Sequence, residues 1–407
     1  MKSILDALEI IARKRWVLPA AVVLSIALIY IQARFHLLSA DFIVDDYSYY
    51  FAARAINLGS NPYDAELLER MGEQEYLKPL ERFPYQDNVY PYLYPPLLAG
   101  IWRIFTLLPP LTAHRLFLIL NALFLGLVFW LMARLVKSDR HPHALCLLFL
   151  LLQAINGAAI TTLRAGQINI VLMALMLATL YWHLGGKDAL SALALTLAIL
   201  IKVVPAILLL YFLIFYPGRW RYLGWMVLWT VALVGVSMVL APPVTWLHFF
   251  ETLRLGPPLG SQFSIWGWLK IHSESSNFLQ QNKAWLFVSF AAGLLALALL
   301  SIRNTRSQER PLYAFSQLMM LSLLLSPLTW HHHYLFYLLP GYYLIASHWS
   351  EQHRIMSLIF ALLFLLVVLR LPGDYHMARP IGTLLTVLFA ARLIPQKTPL
   401  PISLPSY

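Results

Sequence analysis

The sequence predicts an all-α polytopic membrane protein, and its composition and hydropathy carry this prediction. Of the 407 residues, 60% are hydrophobic and only 12% are charged, and the mean hydropathy is +0.67. An average soluble domain carries about a quarter charged residues, so this chain has too few polar groups to cover a globular surface. Apolar runs of about 15 to 20 residues recur along nearly the whole length, as membrane-spanning helices require. A soluble enzyme is therefore excluded.

The basic residues cluster at the ends of the apolar runs. The formal net charge of +11 would suggest nucleic-acid binding in a soluble protein. Here the placement of the basic residues is explained by membrane topology, because Lys and Arg accumulate in cytoplasmic loops. Nucleic acid is therefore not expected as a partner. The single cysteine, Cys146, excludes an internal disulfide and a CxxC site.

The apolar runs define the predicted helices in chain order. The first run extends from Trp16 to about Arg34 and follows a basic triplet. It is too long for a cleaved signal peptide, so we expect an uncleaved first span with the N-terminus in the cytoplasm. Further runs lie at 93–108, 114–136, 144–163, 166–184, 188–201, 203–216, 222–241, 284–302, 312–326, 330–348, 353–371 and 378–394.

The run 93–108 is ambiguous, because it is short and contains Arg103. If it spans the membrane, three later basic clusters lie outside the cell; if it is a juxtamembrane or re-entrant segment, all three lie in the cytoplasm. These clusters are Arg134 with Lys137 and Arg140, Arg219 with Arg221, and Arg303 with Arg306 and Arg310. The positive-inside rule favours the second choice and predicts about 12 transmembrane helices.

This topology predicts two large external loops within a single integral membrane domain, 1–407. The first external loop, 36–110, would contain juxtamembrane helices, and its part 36–92 holds 10 of the 19 carboxylates of the chain. The second external loop, 242–283, is rich in Gly, Pro, Ser and aromatic residues. The polar residues discussed next are all expected on this outer side.

Three aspartates follow the predicted first span. Asp41, Asp45 and Asp46 precede a segment, 47–56, that can form an amphipathic helix on the membrane surface. The Asp45–Asp46 pair could cap this helix at its N-terminus. Alternatively, one carboxylate at the level of the lipid headgroups could accept a proton from a hydroxyl that attacks a lipid-linked substrate. The residues themselves leave both interpretations open.

Three consecutive histidines, 331–333, stand at the outer end of a predicted span. Imidazoles can bind a metal or support the charge of a phosphate. Adjacent residues on a helix point about 100° apart, and no HxxxH or HxxE spacing accompanies these histidines. Contact with a phosphate or a sugar is therefore favoured over a metal site and over a structural place in the interfacial belt.

Two cations stand at the outer ends of otherwise apolar runs. Arg164 is followed closely by Gln167 and Asn169, and Lys202 begins a turn that ends at Pro205. Intramembrane cations indicate functional sites, although long basic side chains also reach towards lipid headgroups. Together with a carboxylate and histidines on the same side, these cations suit a lipid phosphate.

At these residues the chain resembles the polyprenyl-phosphate-sugar-dependent glycosyltransferases of the GT-C fold, specifically glycosyltransferase family 87. This family includes α-mannosyltransferases of lipid-linked mannosides and an arabinofuranosyltransferase. The motifs that carry the resemblance are Asp45 with Tyr49 and Arg54, 61–64, 94–96, 166–169, 202–205 and 326–333. Two positions depart from the family pattern: Ser261, where Asn is frequent, and Thr329, where the pattern has Ser.

The resemblance implies a role for each matched residue. Asp45 is the implied catalytic base, because its spacing to Tyr49 and Arg54 matches the family. The implied donor- or phosphate-binding residues are Arg164, Gln167, Lys202, His332 and His333. The implied substrate-binding residues are Asp46, Tyr49, Arg54, Tyr94, Gln262 and Trp330.

The implied reaction is a single inverting displacement at the outer face of the inner (plasma) membrane. A glycosyl residue, with mannose as the first expectation, moves from a polyprenyl phosphate to a lipid- or glycan-linked acceptor. No cofactor is implied, although Asp45 and Asp46 could hold Mg²⁺. A transporter or flippase and an O-antigen-type polymerase or ligase remain alternatives. The concentration of polar residues at one interface and the acidic first loop favour the glycosyltransferase.

Overall fold

The computed structural model describes residues 2–36, 45–76, 89, 91–136, 141–255, 263–348, 354–369 and 378–393. These residues form nineteen α-helices and three short 3₁₀ helices, so the predicted all-α class is confirmed. The first α-helices are α1 (Lys2–Ala12), α2 (Val17–His36), α3 (Asp46–Asn57), α4 (Ala65–Tyr76), α5 (Pro96–Trp102), α6 (Pro110–Leu135), α7 (Pro142–Gln153), α8 (Gly157–Arg164), α9 (Asn169–Leu184) and α10 (Asp188–Ile201). The remaining α-helices are α11 (Leu209–Ile214), α12 (Arg219–Leu240), α13 (Val244–Leu255), α14 (Ile265–Ser273), α15 (Asn277–Asn304), α16 (Arg310–Leu325), α17 (Leu338–Ser347), α18 (Arg354–Val368) and α19 (Ala378–Leu393). The 3₁₀ helices are Phe105–Leu107, Val204–Leu208 and His331–Tyr337.

Several helices have the length and composition of membrane spans. Within the described residues, α6, α12 and α15 are each long and apolar enough to cross a bilayer unbroken. The pair Leu5–Ala12 and Val17–Ala33, bent by 95°, adds a fourth candidate. Other apolar helices have 10 to 17 residues, below the roughly 20 that a straight span needs. Unbroken long helices are therefore fewer than the predicted apolar runs.

The difference arises because several predicted runs contain breaks. The run 144–163 is two helices, α7 and α8, since the side chain of Asn156 accepts hydrogen bonds from the amides of Ala158 and Ala159 and starts α8 anew. The run 330–348 begins as a 3₁₀ helix before α17. The ambiguous run 93–108 contains only α5 and one 3₁₀ turn, which together are too short for a straight span.

The central helices and the outer helices differ in burial. Nearly every side chain of α16 and α17 is buried, and the 3₁₀ helix between them is buried from His332 onwards. In contrast, α12 and α15 bury few side chains and expose many apolar ones, among them Val231, Val239 and Trp285. This distribution fits a protein whose outer helices face lipid.

Two regions contain helices that the sequence did not predict. The predicted loop 242–283 contains α13 and α14, and α14 begins where Ser264 accepts a hydrogen bond from the amide of Gly267. The N-terminal α1 packs against α7, where Glu9 accepts from the amide of Ala144. Helices α3 and α4 agree with the predicted helical content of the first external loop.

Candidate active site

Asp45 directly precedes α3 and contacts the turn between α8 and α9. Its backbone amide donates to the carbonyl of Ala165 at 2.8 Å. Its carboxylate makes no capping hydrogen bond to the amides of α3. Helix capping, one of the two interpretations left open by the sequence, is therefore not what this side chain does.

The neighbouring Asp46 occupies a different environment. It is 1% exposed, and its Oδ2 and Oδ1 lie 2.9 and 3.1 Å from Nδ1 of His114, at the start of α6. Gly166 packs directly against this carboxylate: a Cβ atom added there would lie 2.5 Å from Oδ1 of Asp46. Gly166 also has a φ of +62°, a left-handed conformation that favours glycine. These contacts hold the carboxylate of Asp46 against His114 and Gly166, whereas the carboxylate of Asp45 contacts Gln167.

Gln167 connects the carboxylate of Asp45 with two tyrosines. Its Nε2 donates to Oδ2 of Asp45 at 2.5 Å, and its Oε1 accepts from the hydroxyl of Tyr49 at 3.1 Å. The hydroxyl of Tyr94 lies 3.4 Å from the same Oε1 and 3.2 Å from the hydroxyl of Tyr49. An ionised carboxylate can only accept, so Asp45 faces the amide nitrogen of Gln167, and the amide oxygen is left to accept from the tyrosine hydroxyls.

Lys202 lies in the break between α10 and the 3₁₀ helix Val204–Leu208. Its Nζ donates to Oδ1 of Asn169 at 3.1 Å and lies 2.7 Å from Nε2 of His333. The same nitrogen stands 5.1 Å from the ring centroid of Tyr94. Nδ2 of Asn169 is buried and has no hydrogen-bond partner among the described residues. Lys202, Asn169 and His333 therefore place their side-chain nitrogens close together beside the ring of Tyr94.

His332 and His333 lie at the beginning of the buried 3₁₀ helix. Their ring centroids are 4.4 Å apart. Nδ1 of His333 accepts a hydrogen bond from the backbone amide of Trp330 at 2.8 Å, which fixes the ring. The backbone carbonyl of His332 accepts from the hydroxyl of Thr162 on α8. The turn that carries the histidines is thus attached to the helix that precedes Gln167.

Burial shifts the acid–base properties of the two charged groups of this site. Burial raises the pKa of Asp45 to about 7, although the hydrogen bond from Gln167 and the charge of Lys202 act in the opposite direction. Burial lowers the pKa of Lys202 to about 7, and the charge of Asp45 opposes this shift. A pKa close to neutral pH is the value that suits a general base best, and Asp45 has such a pKa.

The structure brings most of the predicted site residues together. Asp45, Tyr49, Tyr94, Gln167, Lys202 and His333 form one network of contacts, with His332 beside His333. Trp330 contributes its backbone amide to the same network. Arg164 is buried in the last turn of α8, directly before the Ala165 carbonyl that accepts from Asp45.

Two predicted site residues are placed otherwise, and one lies outside the described residues. Arg54 is in the last turn of α3, about 13 Å along the helix axis from Asp45 at 1.5 Å per residue, and forms an ion pair with Glu75 on α4. The carboxylate of Asp46 already contacts His114. Gln262 is outside the described residues. The predicted substrate-binding roles of these three residues stay predictions.

Sequence reasoning did not single out His114, and it named Asn169 only as a neighbour of Gln167. His114 is the polar residue in the first turn of an apolar run, a pattern that carries no specific signal without its contact to Asp46. No group of three or more His, Cys, Asp or Glu side chains within the described ranges could hold a metal ion. The chemistry offered by the described site is a carboxylate acceptor facing amine, amide and imidazole groups.

Comparison with known proteins decides the family. Residues 92–327, more than half of the chain, match the sequence model of glycosyltransferase family 87. The chain belongs to glycosyltransferase family 87. This confirms the predicted resemblance, and the matched range of this family 87 protein contains Tyr94, Gln167 and Lys202, whereas Asp45 and the histidines lie outside it.

A curated relative of this family 87 protein is the polyprenol-phosphate-mannose-dependent alpha-(1-2)-phosphatidylinositol mannoside mannosyltransferase of Mycobacterium tuberculosis. The two sequences are 28% identical over 295 residues, which cover 66% of this chain and 65% of the relative. The chain therefore matches slightly less than two thirds of the length of that relative.

Proposed function

We propose that this family 87 protein transfers a mannosyl residue from a polyprenyl-phosphate donor to a lipid- or glycan-linked acceptor. The observation that carries the proposal is the position of Asp45, whose carboxylate accepts from Gln167 and stands in the same network as Lys202 and His333. A base and an anion-binding group within one half-buried network are what transfer from a lipid phosphate requires. The relative's use of a polyprenol-phosphate-mannose donor supports the choice of sugar.

In the proposed mechanism, Asp45 accepts the proton of an acceptor hydroxyl while that oxygen attacks the anomeric carbon. The bond from this carbon to the phosphate oxygen breaks in the same step, and the configuration inverts from β to α. Negative charge then develops on the departing lipid phosphate. Lys202, Arg164 and the donors of His332 and His333 would stabilise this charge more in the transition state than in the ground state.

Gln167, Tyr49 and Tyr94 would position the base. Because Gln167 donates to one carboxylate oxygen, the other oxygen of Asp45 is left to meet the acceptor hydroxyl. The phenolic hydroxyls that hold Oε1 of Gln167 would keep the amide from rotating. The ring of Tyr94, beside Nζ of Lys202, would form the boundary between the sugar and its phosphate.

We also propose the finer membrane arrangement predicted by the sequence: a single GT-C domain with about 12 membrane passes, both termini in the cytoplasm and the site at the outer face of the inner membrane. The basic clusters that support this orientation include Arg219, at the start of α12. Accessibility labelling of Arg219→Cys and Ser261→Cys tests it, since only the cysteine at 261 should react from outside. Labelling of position 219 from outside would contradict this orientation.

The proposed reaction is tested with purified full-length protein, a synthetic short-chain prenyl-phosphate mannose and a mannosylated lipid acceptor. We expect an α-linked product, identified by the anomeric coupling in its NMR spectrum, and no product from the nucleotide sugar. A matched donor that carries arabinofuranose tests the sugar. Transfer from the arabinofuranose donor alone would contradict mannose as the transferred sugar but keep the reaction class. Transport of the intact donor without transfer would favour the transporter alternative.

A further inference from the structure

The contact between Lys202 and His333 constrains where protons can be in the ligand-free site. Nδ1 of His333 accepts the backbone N–H of Trp330 at 2.8 Å, so it carries no proton. A neutral imidazole then holds its one proton on Nε2. This Nε2–H lies 2.7 Å from Nζ of Lys202. A lysine ammonium has three donors and no lone pair, so a charged Lys202 would oppose one donor with another.

A neutral amine at Lys202 removes this conflict. Its lone pair accepts from Nε2–H of His333, and one of its own N–H groups donates to Oδ1 of Asn169 at 3.1 Å. Each contact in the row Trp330, His333, Lys202, Asn169 then joins one donor to one acceptor. We propose that Lys202 is a neutral amine in the ligand-free enzyme and gains one proton when the phosphodiester of the donor binds, an inference that rests on the proposed function.

The charges around Lys202 agree with this assignment. The groups that face it from other elements are Asp45, His332, His333, Asn169 and Tyr94. Among these, only Asp45 is an acid that ionises near neutral pH, and its charge favours the ammonium form. Burial acts more strongly and lowers the pKa of Lys202 to about 7. Both protonation states are therefore within reach at neutral pH, and an arriving anion would decide between them.

Protonation would change what the site offers to a phosphate. Once Nζ has a fourth bond, to hydrogen, it can no longer accept from His333, and Nε2–H becomes free to donate to a phosphate oxygen. The buried Nδ2 of Asn169 supplies another donor next to the same point. The proton comes either from solvent or from the carboxyl group of Asp45. In the second case, binding of the donor would also leave Asp45 ionised and ready to act as the base.

Trace acetylation tests the state of Lys202, since acetic anhydride reacts with neutral amines and leaves ammonium groups untouched. The full-length protein is labelled over a range of pH, and the extent at each lysine is read by peptide mass spectrometry. Lys187 is the internal control, because it is exposed at the opposite end of α10. The midpoint of the pH profile, unlike the rate, is independent of how accessible each amine is.

We expect the Lys202 midpoint to lie about two pH units or more below that of Lys187, because burial disfavours the charged amine. A short-chain prenyl mannosyl phosphodiester, which has no titratable proton of its own, should raise this midpoint by about one unit or more. A Lys202 midpoint equal to that of Lys187 in the ligand-free protein would overturn the inference. A low midpoint that the bound phosphodiester leaves unchanged would overturn the proton uptake.

Calorimetry separates this inference from the proposed function. The phosphodiester is titrated into Asp45→Asn protein in buffers of different ionisation enthalpy, so that solvent is the one remaining proton source. We expect uptake of about one proton above the Lys202 midpoint, and none in Asp45→Asn with Lys202→Arg, since arginine stays charged. Binding without uptake would reject the inference and keep the donor site. A low labelling midpoint without any binding would support the neutral lysine and reject the donor class.

Discussion

Gln167 holds Asp45 by a 2.5 Å hydrogen bond from its amide nitrogen to Oδ2, although 122 positions separate the two residues in the sequence. The adjacent carboxylate, that of Asp46, is held instead by His114. Two neighbouring aspartates therefore have separate partners, and the structure allows their roles to be tested separately.

Asp45→Asn should slow turnover severely while preserving the fold. The amide keeps the size of the side chain and can still accept from Gln167, but it cannot take a proton from the acceptor. We expect a loss of about 10² or more in kcat, measured with the prenyl-phosphate donor. Asp64→Asn is the matched control, because Asp64 does cap a helix, accepting from the amide of Leu67 at 3.0 Å, and Asn caps as well as Asp. Equal activity of both variants would exclude Asp45 as the base.

Gln167→Leu should change the pH dependence of the reaction. Asp45 must be ionised to act as a base, so activity should rise with pH through its pKa of about 7. The hydrogen bond from Gln167 lowers this pKa; without it, the pKa rises, and the acid limb of the kcat profile should move to higher pH. Gln167→Glu should move the limb in the same direction through its added negative charge. An unchanged acid limb in both variants would show that another group titrates.

His114→Leu should lower the stability of the protein but have a smaller effect on the kcat of the molecules that remain folded. The change leaves the buried carboxylate of Asp46 without its partner, and loss of a hydrogen bond to a charged group costs about 1.5–3 kcal/mol. Thermal unfolding in detergent, followed by intrinsic fluorescence, should show a lower Tm. The double variant His114→Leu with Asp46→Leu should recover part of the loss. Unaltered Tm together with lost turnover would instead place Asp46 in the reaction.

Gly166→Ala tests the close approach of the α8–α9 turn to Asp46. Both Gly166 and Gly186 have positive φ angles, of +62° and +69°, but a Cβ at Gly186 would meet nothing within 4 Å. Gly186→Ala therefore measures the conformational cost alone, about 1–2 kcal/mol. Gly166→Ala should cost clearly more, because its Cβ would overlap the Asp46 carboxylate. Equal changes of Tm in the two variants would contradict this contact.

Lys202→Met should weaken use of the donor rather than use of the acceptor. If Lys202 bonds the phosphate, its loss should cost about 1.5–3 kcal/mol in kcat/KM for the donor. Lys187→Met, which removes an exposed lysine from the other end of α10, should leave the kinetics unchanged. Arg164→Ala is assayed in parallel. Normal donor kinetics in both the Lys202 and Arg164 variants would exclude these cations from donor binding.

The sequence allowed the grouping of the polar site residues to be predicted better than the breaks in the helices. The order and spacing of short motifs that resemble family 87 selected Asp45, Gln167, Lys202 and His333, and these motifs lie beside helix ends. It could not predict the Asp46–His114 contact, since nothing local relates residues that are 68 positions apart.

Helix breaks were the main source of differences in the fold. Hydropathy treats 144–163 as one apolar run, although Asn156 caps a new helix inside it. Likewise, the helices α13 and α14 lie in a segment whose Gly and Pro content suggested a loop. Average hydropathy registers the burial of a segment but not the hydrogen bonds that end and restart a helix within it.

The Lys202–His333 contact joins positions separated by 131 residues, and Asp45 lies far upstream of both. During synthesis, the carboxylate of Asp45 would therefore leave the ribosome before Gln167 and Lys202, and the network would lack His333 until most of the chain has been made. A nascent or truncated chain that ends before the histidine turn would have no assembled site. Assembly of this network would thus be one of the last events in the folding of the chain.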